Sequence, residues 1–568
     1  MKKKLTLGLA MLMAASMALT GCASESKPDT AEPTTSTEAE GTDSEGTDEA
    51  EGTDSEATGE QVLHFNLGAD PLTLDPQLNS AVDGGHVINN AFEGLMRELD
   101  GEIVPAMAEK VEVSEDNLVY TFTLRDAKWS DGKPVTANDF EFAWKRGADP
   151  ATASEYMYIF DSANLLNAGA IGRGEMSIDE LGVKAIDEKT LQVTLSRPTD
   201  YFLEITSFAS LMPVRSDVVD NEGAWAKDPA KYIGNGPFKM KEYKMGDRIV
   251  FEKNDNYWNA AEVNLEEIVM YMIVDESTAH AKYNSNELHI NELIPTNEIP
   301  TLIAEDPTFY ITPQIGTYYF AYNMNNEALQ DANVRKALSM AIDREQIVKN
   351  VTKGGQKVAY GYMPEGITDD EGNSFTETAG DYGVTPTGNV EAAKALLKEA
   401  GYEDGAALGE IEILYNTSEA HKSIAESIQE MLKQNLGVNI KLTNQEWAVF
   451  QETTNNNEFE GLARRGWLGD YNDPQTMLEI FESDNPQNIG RYASEAFDAE
   501  MDLSREAVGA ERMDHLYKAH DILMDDMPII PLYYYVSNMM VKDEVQDLEV
   551  TALNKFWFGD VEIVEVTE

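Results

Sequence analysis

A single cysteine, Cys22, stands in the 568 residues, so no disulfide closes within the chain and no cysteine pair can hold zinc. Positive charge is also scarce: 43 lysines and arginines face 102 aspartates and glutamates, a formal net charge of -59. Neutralising phosphates needs a basic surface, so a charge of that sign argues strongly against nucleic acid as a partner. The acidity fits a well-solvated extracellular surface and calls for no specific cationic partner. The seven histidines are scattered, and His515 and His520 fall at a poor helical spacing for joint metal ligation. There is no G-x-S-x-G elbow, no H-E-x-x-H helix and no P-loop. Carboxylates are so abundant that a chance glycosidase-like pair stays open on the sequence, but nothing singles out a nucleophile. The expectation is a protein that is not an enzyme and carries no cofactor or metal, with an extracellular hydrolase as the weaker alternative.

Among what is present, the N-terminus speaks first. Lys2, Lys3 and Lys4 precede an apolar stretch from Leu5 to Leu19, shorter than the about 20 residues a spanning helix needs and suited to a signal peptide. Leu19-Thr20-Gly21-Cys22 resembles a bacterial lipobox, in which Cys22 takes lipid and becomes the new N-terminus. Residues 1–21 then form the signal, and the protein is expected on the extracytoplasmic face of the cell membrane, anchored through Cys22. An ordinary secretory signal is the alternative. From Ala23 to about Glu60 the chain repeats Gly-Thr-Asp-Ser-Glu with almost no large apolar residue, a composition that cannot offset its ordering entropy. Such a tract is a disordered tether spanning roughly 35 Å.

The remainder, Gln61 to Glu568, is too long for one ordinary core and predicts two to four domains. Val119 to Leu124 and Leu191 to Leu195 alternate with the period of half-buried strands. Val334, Leu338, Ala341 and Ile342 recur at helical spacing behind a capping Asp331, and a second helix runs from Asn389 to Ala400, closed by Gly401. Ile411 to Leu442 reads as strand, helix from about Ser423 to Leu436 ended by Gly437, and strand, a parallel pair with a right-handed crossover. The fold class is α/β.

Particular strings carry a resemblance. Ala127-Lys128-Trp129-Ser130-Asp131-Gly132-Lys133-Pro134-Val135-Thr136-Ala137-Asn138-Asp139-Phe140 is similar to the signature of extracellular solute-binding proteins of family 5, which serve oligopeptide and dipeptide transporters. So are Asn235-Gly236-Pro237-Phe238 with Asn256-Tyr257-Trp258, and Val334-Arg335-Lys336-Ala337-Leu338 with Ala341-Ile342-Asp343-Arg344. The likeness runs from about Leu63 to the C-terminus and is nearest to the oligopeptide-binding members. It implies a periplasmic-binding-protein-like fold of class II, cluster C type. Two main lobes would carry an inserted third domain, with the ligand in the interlobe cleft. The implied lobe I is 61–92, 217–320 and 536–568, the inserted domain 93–216 and lobe III 321–535, with hinges near Tyr318 and Tyr535. Implied partners are short peptides and the permease subunits of an ABC transporter, with the protein itself a monomer. A receptor specialised for one signalling or cell-wall peptide is the alternative within the family.

The resemblance also implies a site. Ala463 to Asn472 looks like the segment that holds the peptide: Asp470 would take its N-terminal ammonium and Arg464 the C-terminal carboxylate of a short peptide. His421 would lie where a longer peptide ends. Tyr156, Trp447, Gly466, Trp467, Leu468 and Tyr535 would supply pocket walls and backbone contacts, although the run Tyr533 to Tyr535 reads better as core. Arg465 departs from the family pattern, where a small residue is expected, and adds a second cation beside Arg464.

Overall fold

The computed structural model of the chain describes residues 60–566, apart from 100, 221, 222, 370 and 381. Cys22, the signal segment and the acidic tract lie outside those residues.

Alternation builds a small sheet first. Val119–Leu124 buries Tyr120, Phe122 and Leu124 while Val119, Thr121 and Thr123 stay half-buried, and Thr190–Thr194 buries Leu191 and Val193 opposite them. Ala108–Val113 and Val183–Ala185 complete a four-stranded antiparallel sheet. The helix Ala137–Ala148 packs on it through Phe140, Ala143 and Trp144. The signature string around Trp129 fixes this unit in place. Asp139 Oδ2 accepts from Thr136 N at 2.8 Å and from Trp129 Nε1 at 3.4 Å, and Ser130 N donates to Gly234 O at 2.9 Å.

An 11-stranded sheet organises the rest. On one side of the long strand Phe309–Tyr322 lie Leu462–Leu468, Glu410–Asn416 and Asn439–Gln445 in that order. On its other side comes a second long strand, Ile529–Val541, followed by Ile290–Asn291, Val62–Asn66, Glu267–Tyr271, Arg248–Lys253 and Phe238–Lys244. The short strand Lys357–Val358 also pairs with Ile529–Val541. The two groups are the two lobes of an α/β protein, and the long strands belong to both. Their antiparallel register breaks between Pro313 and Thr317 and again between Tyr318 and Tyr319, with Tyr535 opposite the first break. A ladder interrupted there bends more easily than a continuous one.

The strand, helix and strand read from Ile411 to Leu442 are Glu410–Asn416, Glu419–Leu436 and Asn439–Gln445, the strands pairing in parallel from Glu410↔Asn439 to Asn416↔Gln445. The helix starts earlier than Ser423 because Ser418 caps it, accepting from His421 N at 3.3 Å. Gly437 ends it at φ +76°, a conformation that costs a side-chain-bearing residue.

The third signature string holds the second long strand. Arg344 is fully buried, and its guanidinium donates to Pro531 O at 2.7 Å, Ser339 O at 3.0 Å and Ser339 Oγ at 2.7 Å. Arg335 likewise donates to Met527 O at 3.1 Å and Leu329 O at 2.9 Å. Arg344→Ala would strand these acceptors in the core, and we expect a loss of about 3 kcal/mol or more. Denaturant unfolding measures it, and an unchanged midpoint would show that Arg344 does not secure the strand.

Candidate functional site

A cavity of about 880 Å³ opens between the lobes, lined by Asp470, Arg464, His421, Tyr156, Trp447, Gly466, Trp467, Leu468 and Tyr535. Every candidate peptide-contact residue named from the sequence therefore meets in one space. The strand Leu462–Leu468 forms its floor. Glu410–Asn416 pairs with that strand only at Ile413↔Leu462 and Leu414↔Ala463, so among the described residues the edge from Arg464 to Leu468 has no second neighbour. Across the cavity, Ser80, Ala81 and Val82 line the opposite wall, with Ala81 extended at φ -131°, ψ 152°.

Asp470 lies just beyond the strand and is 6% exposed. Tyr156 and Tyr158 donate their hydroxyls to its two oxygens at 3.0 and 3.2 Å, and its own N–H donates to Thr476 Oγ1 at 2.9 Å. Among the described residues no lysine or arginine pairs with it. Lys555, whose charge does act on it, pairs with Glu98 at 3.7 Å. Burial pushes the Asp470 carboxyl up to about 7, and the tyrosine hydrogen bonds only partly oppose this.

The other end of the strand is cationic. Arg464 donates through Nη2 to Tyr535 Oη at 3.2 Å and stands 5.0 Å from the Tyr318 ring centroid. Its Nε is buried without an acceptor, and it has no carboxylate partner among the described residues. Gly466 makes this arrangement possible, since a Cβ there would come within 2.0 Å of Tyr535 Oη. His421 completes the group through a 3.2 Å contact between Nδ1 and Tyr318 Oη. Burial, reinforced by the Arg464 charge, holds its pKa well below the usual range, so the ring is neutral.

Aromatic walls stand between the two ends. Trp467 stacks against Tyr156 with centroids 6.2 Å apart, and Trp447 stacks on Phe450 at 5.9 Å while donating to Asp83 Oδ2 at 3.1 Å. Of the tyrosine run, Tyr533 and Tyr534 are core and only Tyr535 reaches the cavity. Sequence reasoning missed Tyr158, Asp83 and Glu292, and named Tyr318 only as a hinge position. Asp83 and Glu292 keep part of their surface on the cavity; burial raises them to about 6 and about 7, against opposing hydrogen bonds from Trp447 and Ser537 respectively. No spacing could have found them, because they reach the cavity from the far lobe.

Contacts across the gap show that it is shut. Besides Tyr156, Tyr158 and Trp447, Asn472 N donates to Glu204 Oε1 at 2.9 Å, Ala420 N to Glu276 Oε1 at 3.3 Å, and Tyr201 stacks on Tyr471 at 4.8 Å.

Comparison with known proteins agrees. The family model described as bacterial extracellular solute-binding proteins, family 5 Middle, matches residues 102–488. The oligopeptide-binding protein OppA of Bacillus subtilis (strain 168) is 37% identical over 517 residues, 88% of this chain and 92% of that protein. Haemophilus influenzae OppA in complex with the peptide RPPGFSPFR superposes with a TM-score of 0.82 at 32% identity, covering 90% of this chain and 100% of that one. The Escherichia coli murein tripeptide binding protein MppA gives 0.82 at 34% identity with the same coverage. MppA in its unliganded open form gives only 0.59, also at 34% identity, covering 90% and 98%. The lobes here stand as in the peptide complex rather than as in the open form.

This closed arrangement has a pH signature. A carboxyl at its ordinary 3.8 in the open form and about 7 when shut must take up a proton to close without penalty. The penalty is absent below the lower value, grows between the two and is complete above the higher one. Glu292 and Asp83 act with the same sign. Ligand-free protein is therefore expected to be more compact at about pH 5 than at about pH 7.5, and Asp470→Asn to be more compact at the higher pH. Small-angle scattering reads this directly; a radius of gyration that ignores pH would refute it.

Proposed function

The chain belongs to the bacterial extracellular solute-binding proteins of family 5, and we propose that it is the peptide-capturing component of an ABC importer. The observation that carries this reading is the pair Asp470 and Arg464, an enclosed anion and an enclosed cation that face one cavity without protein counterions. A free peptide carries one ammonium and one carboxylate whatever its sequence. Asp470 receives the ammonium and Arg464 the carboxylate, and neutral His421 offers a hydrogen bond to the carboxylate of a longer peptide. Between them the ligand's backbone adds a strand to the open edge of Arg464 to Leu468, using groups that every peptide shares. Side chains enter hydrated spaces walled by Tyr156, Trp447 and Trp467, where waters adapt to each residue.

Closure follows from the same charges. Shutting the lobes on an empty cavity takes Asp470 out of water unpaired, while shutting them on a peptide pairs it. Lobe I, formed by 61–92, 217–320 and 536–568, and lobe III, 321–535, move about the interrupted ladder near Tyr318 and Tyr535, and the inserted domain 93–216 brings Tyr156 and Tyr158. The shut form is the one a membrane permease reads. The bound peptide is delivered intact, because the protein is a carrier and not an enzyme. Lipid on Cys22 keeps the carrier, a monomer, on the outer surface of the cell membrane.

Removing either partner of the buried ammonium pair strands the other, which costs about 3 to 5 kcal/mol, or two decades or more in affinity. Calorimetry is expected to show that loss for Asp470→Ala with a free peptide and for the intact protein with an N-acetylated one, with no further loss on combining them. If the acetylated peptide binds the intact protein as tightly as the free one, the ammonium site is wrong. For the anchor, Cys22→Ser is expected to release the protein from the membrane fraction; retention there would remove the lipid assignment.

A further inference from the structure

Arg465 has no part in the account above, yet it lines the same cavity. Successive side chains of a strand point to opposite faces, so Arg465 shares its face with Trp467 and not with Arg464. Trp467 leads to Tyr156, the tyrosine that holds Asp470. Arg465 therefore serves a different part of the cavity from the end formed by Arg464 and His421.

Its surroundings lack an anion. Nη2 of Arg465 donates to Gln487 Oε1 at 2.5 Å, while Nε is buried without an acceptor. Gln487 is 2% exposed and Asn485 4%, and Gln487 Nε2 and Asn485 Nδ2 are likewise buried without acceptors. The two amides are held together, since Gln487 N donates to Asn485 Oδ1 at 2.9 Å. Arg465 thus has Gln487 Oε1 and the Tyr319 hydroxyl as acceptors, and among the described residues no negative charge pairs with its guanidinium. Water can satisfy the amides, but a guanidinium removed from bulk solvent also calls for negative charge.

We propose that Arg465, with Gln487 behind it, forms a side-chain subsite that takes the carboxylate of an aspartyl or glutamyl residue of the bound peptide. The proposal rests on the peptide-binding reading and refines it from general capture to a preference. The planar fork of a guanidinium suits a carboxylate, and Gln487 fixes the fork's orientation. A peptide laid along the strand edge alternates its own side chains, so only every second ligand residue shares Arg465's face.

The experiment is calorimetry on the full chain with alanine-based tripeptides to pentapeptides. One glutamate is walked through each position, each peptide is compared with its glutamine counterpart, and all are made as free acids and as C-terminal amides. Glutamate is expected to bind at least about tenfold more tightly than glutamine at one position, or at positions two apart, in acids and amides alike. In Arg465→Ala and in Arg465→Gln the ratio should fall to about one; the second variant keeps a polar, similarly long side chain where the first disturbs folding. Equal affinities at every position overturn the proposal, as does a preference that survives both substitutions. An Arg465 effect confined to the free acids would place the terminal carboxylate there instead and also overturn it. Failure of every peptide to bind, the all-alanine ones included, would bring down the peptide-binding reading itself.

Discussion

Asp470 is a carboxylate enclosed by protein, held by Tyr156 and Tyr158, and left without a cation among the described residues. Enclosing an ion removes solvation that a partner of opposite charge or a proton must offset, and among the described residues no cation pairs with it. Much of the molecule bears on that condition. The tyrosines reach Asp470 from the unit built on the small sheet, Thr476 orients its backbone, and the two long strands carry the lobes that shut over it. Arg464 repeats the arrangement with the opposite sign, cradled by the hydroxyl of Tyr535 and the ring of Tyr318.

The family strings serve the frame more than the ligand. Asn235 accepts from Glu93 N at 2.9 Å, and Tyr257 and Trp258 donate to the Glu93 carboxylate at 2.8 and 2.6 Å, which fastens the end of the helix Val82–Ala91 to its lobe. A Cβ on Gly236 would come within 2.7 Å of the Ala91 carbonyl carbon, so the loop can approach only as glycine. Arg344 does comparable work for the strand Ile529–Val541. Such residues are legible in sequence because a buried hydrogen bond or a close backbone approach admits few residue types. Their readability says where the frame is, and the site is then located by what the frame leaves open.

The segment from Arg464 to Asp470 shows how far reading along the chain can go. Its likeness to the family's peptide-holding segment marks Gly466, and marks Asp470 and Arg464, which differ in sign near its two ends. That the edge beyond Ala463 lacks a neighbour depends on where Glu410–Asn416 diverges, and that is a property of the sheet. Asp83 and Glu292 are ordinary acids in a chain rich in them until the far lobe brings them to the cavity. Arg465 stood out in sequence only as a misfit, and its partner Gln487 comes from beyond an intervening turn and short helices.

Local chemistry by itself determined the α/β class and the strand, helix and strand from Glu410 to Gln445, because periodicity and capping are carried by neighbours along the chain, while Asp470, Arg464 and His421 were marked by the family resemblance. Tertiary structure decided which of those charges lose water and which keep a partner. Desolvation depends on everything packed around a group, so only the folded, shut molecule sets Asp470 apart as a carboxyl that resists ionising without a cation, instead of one acid among 102.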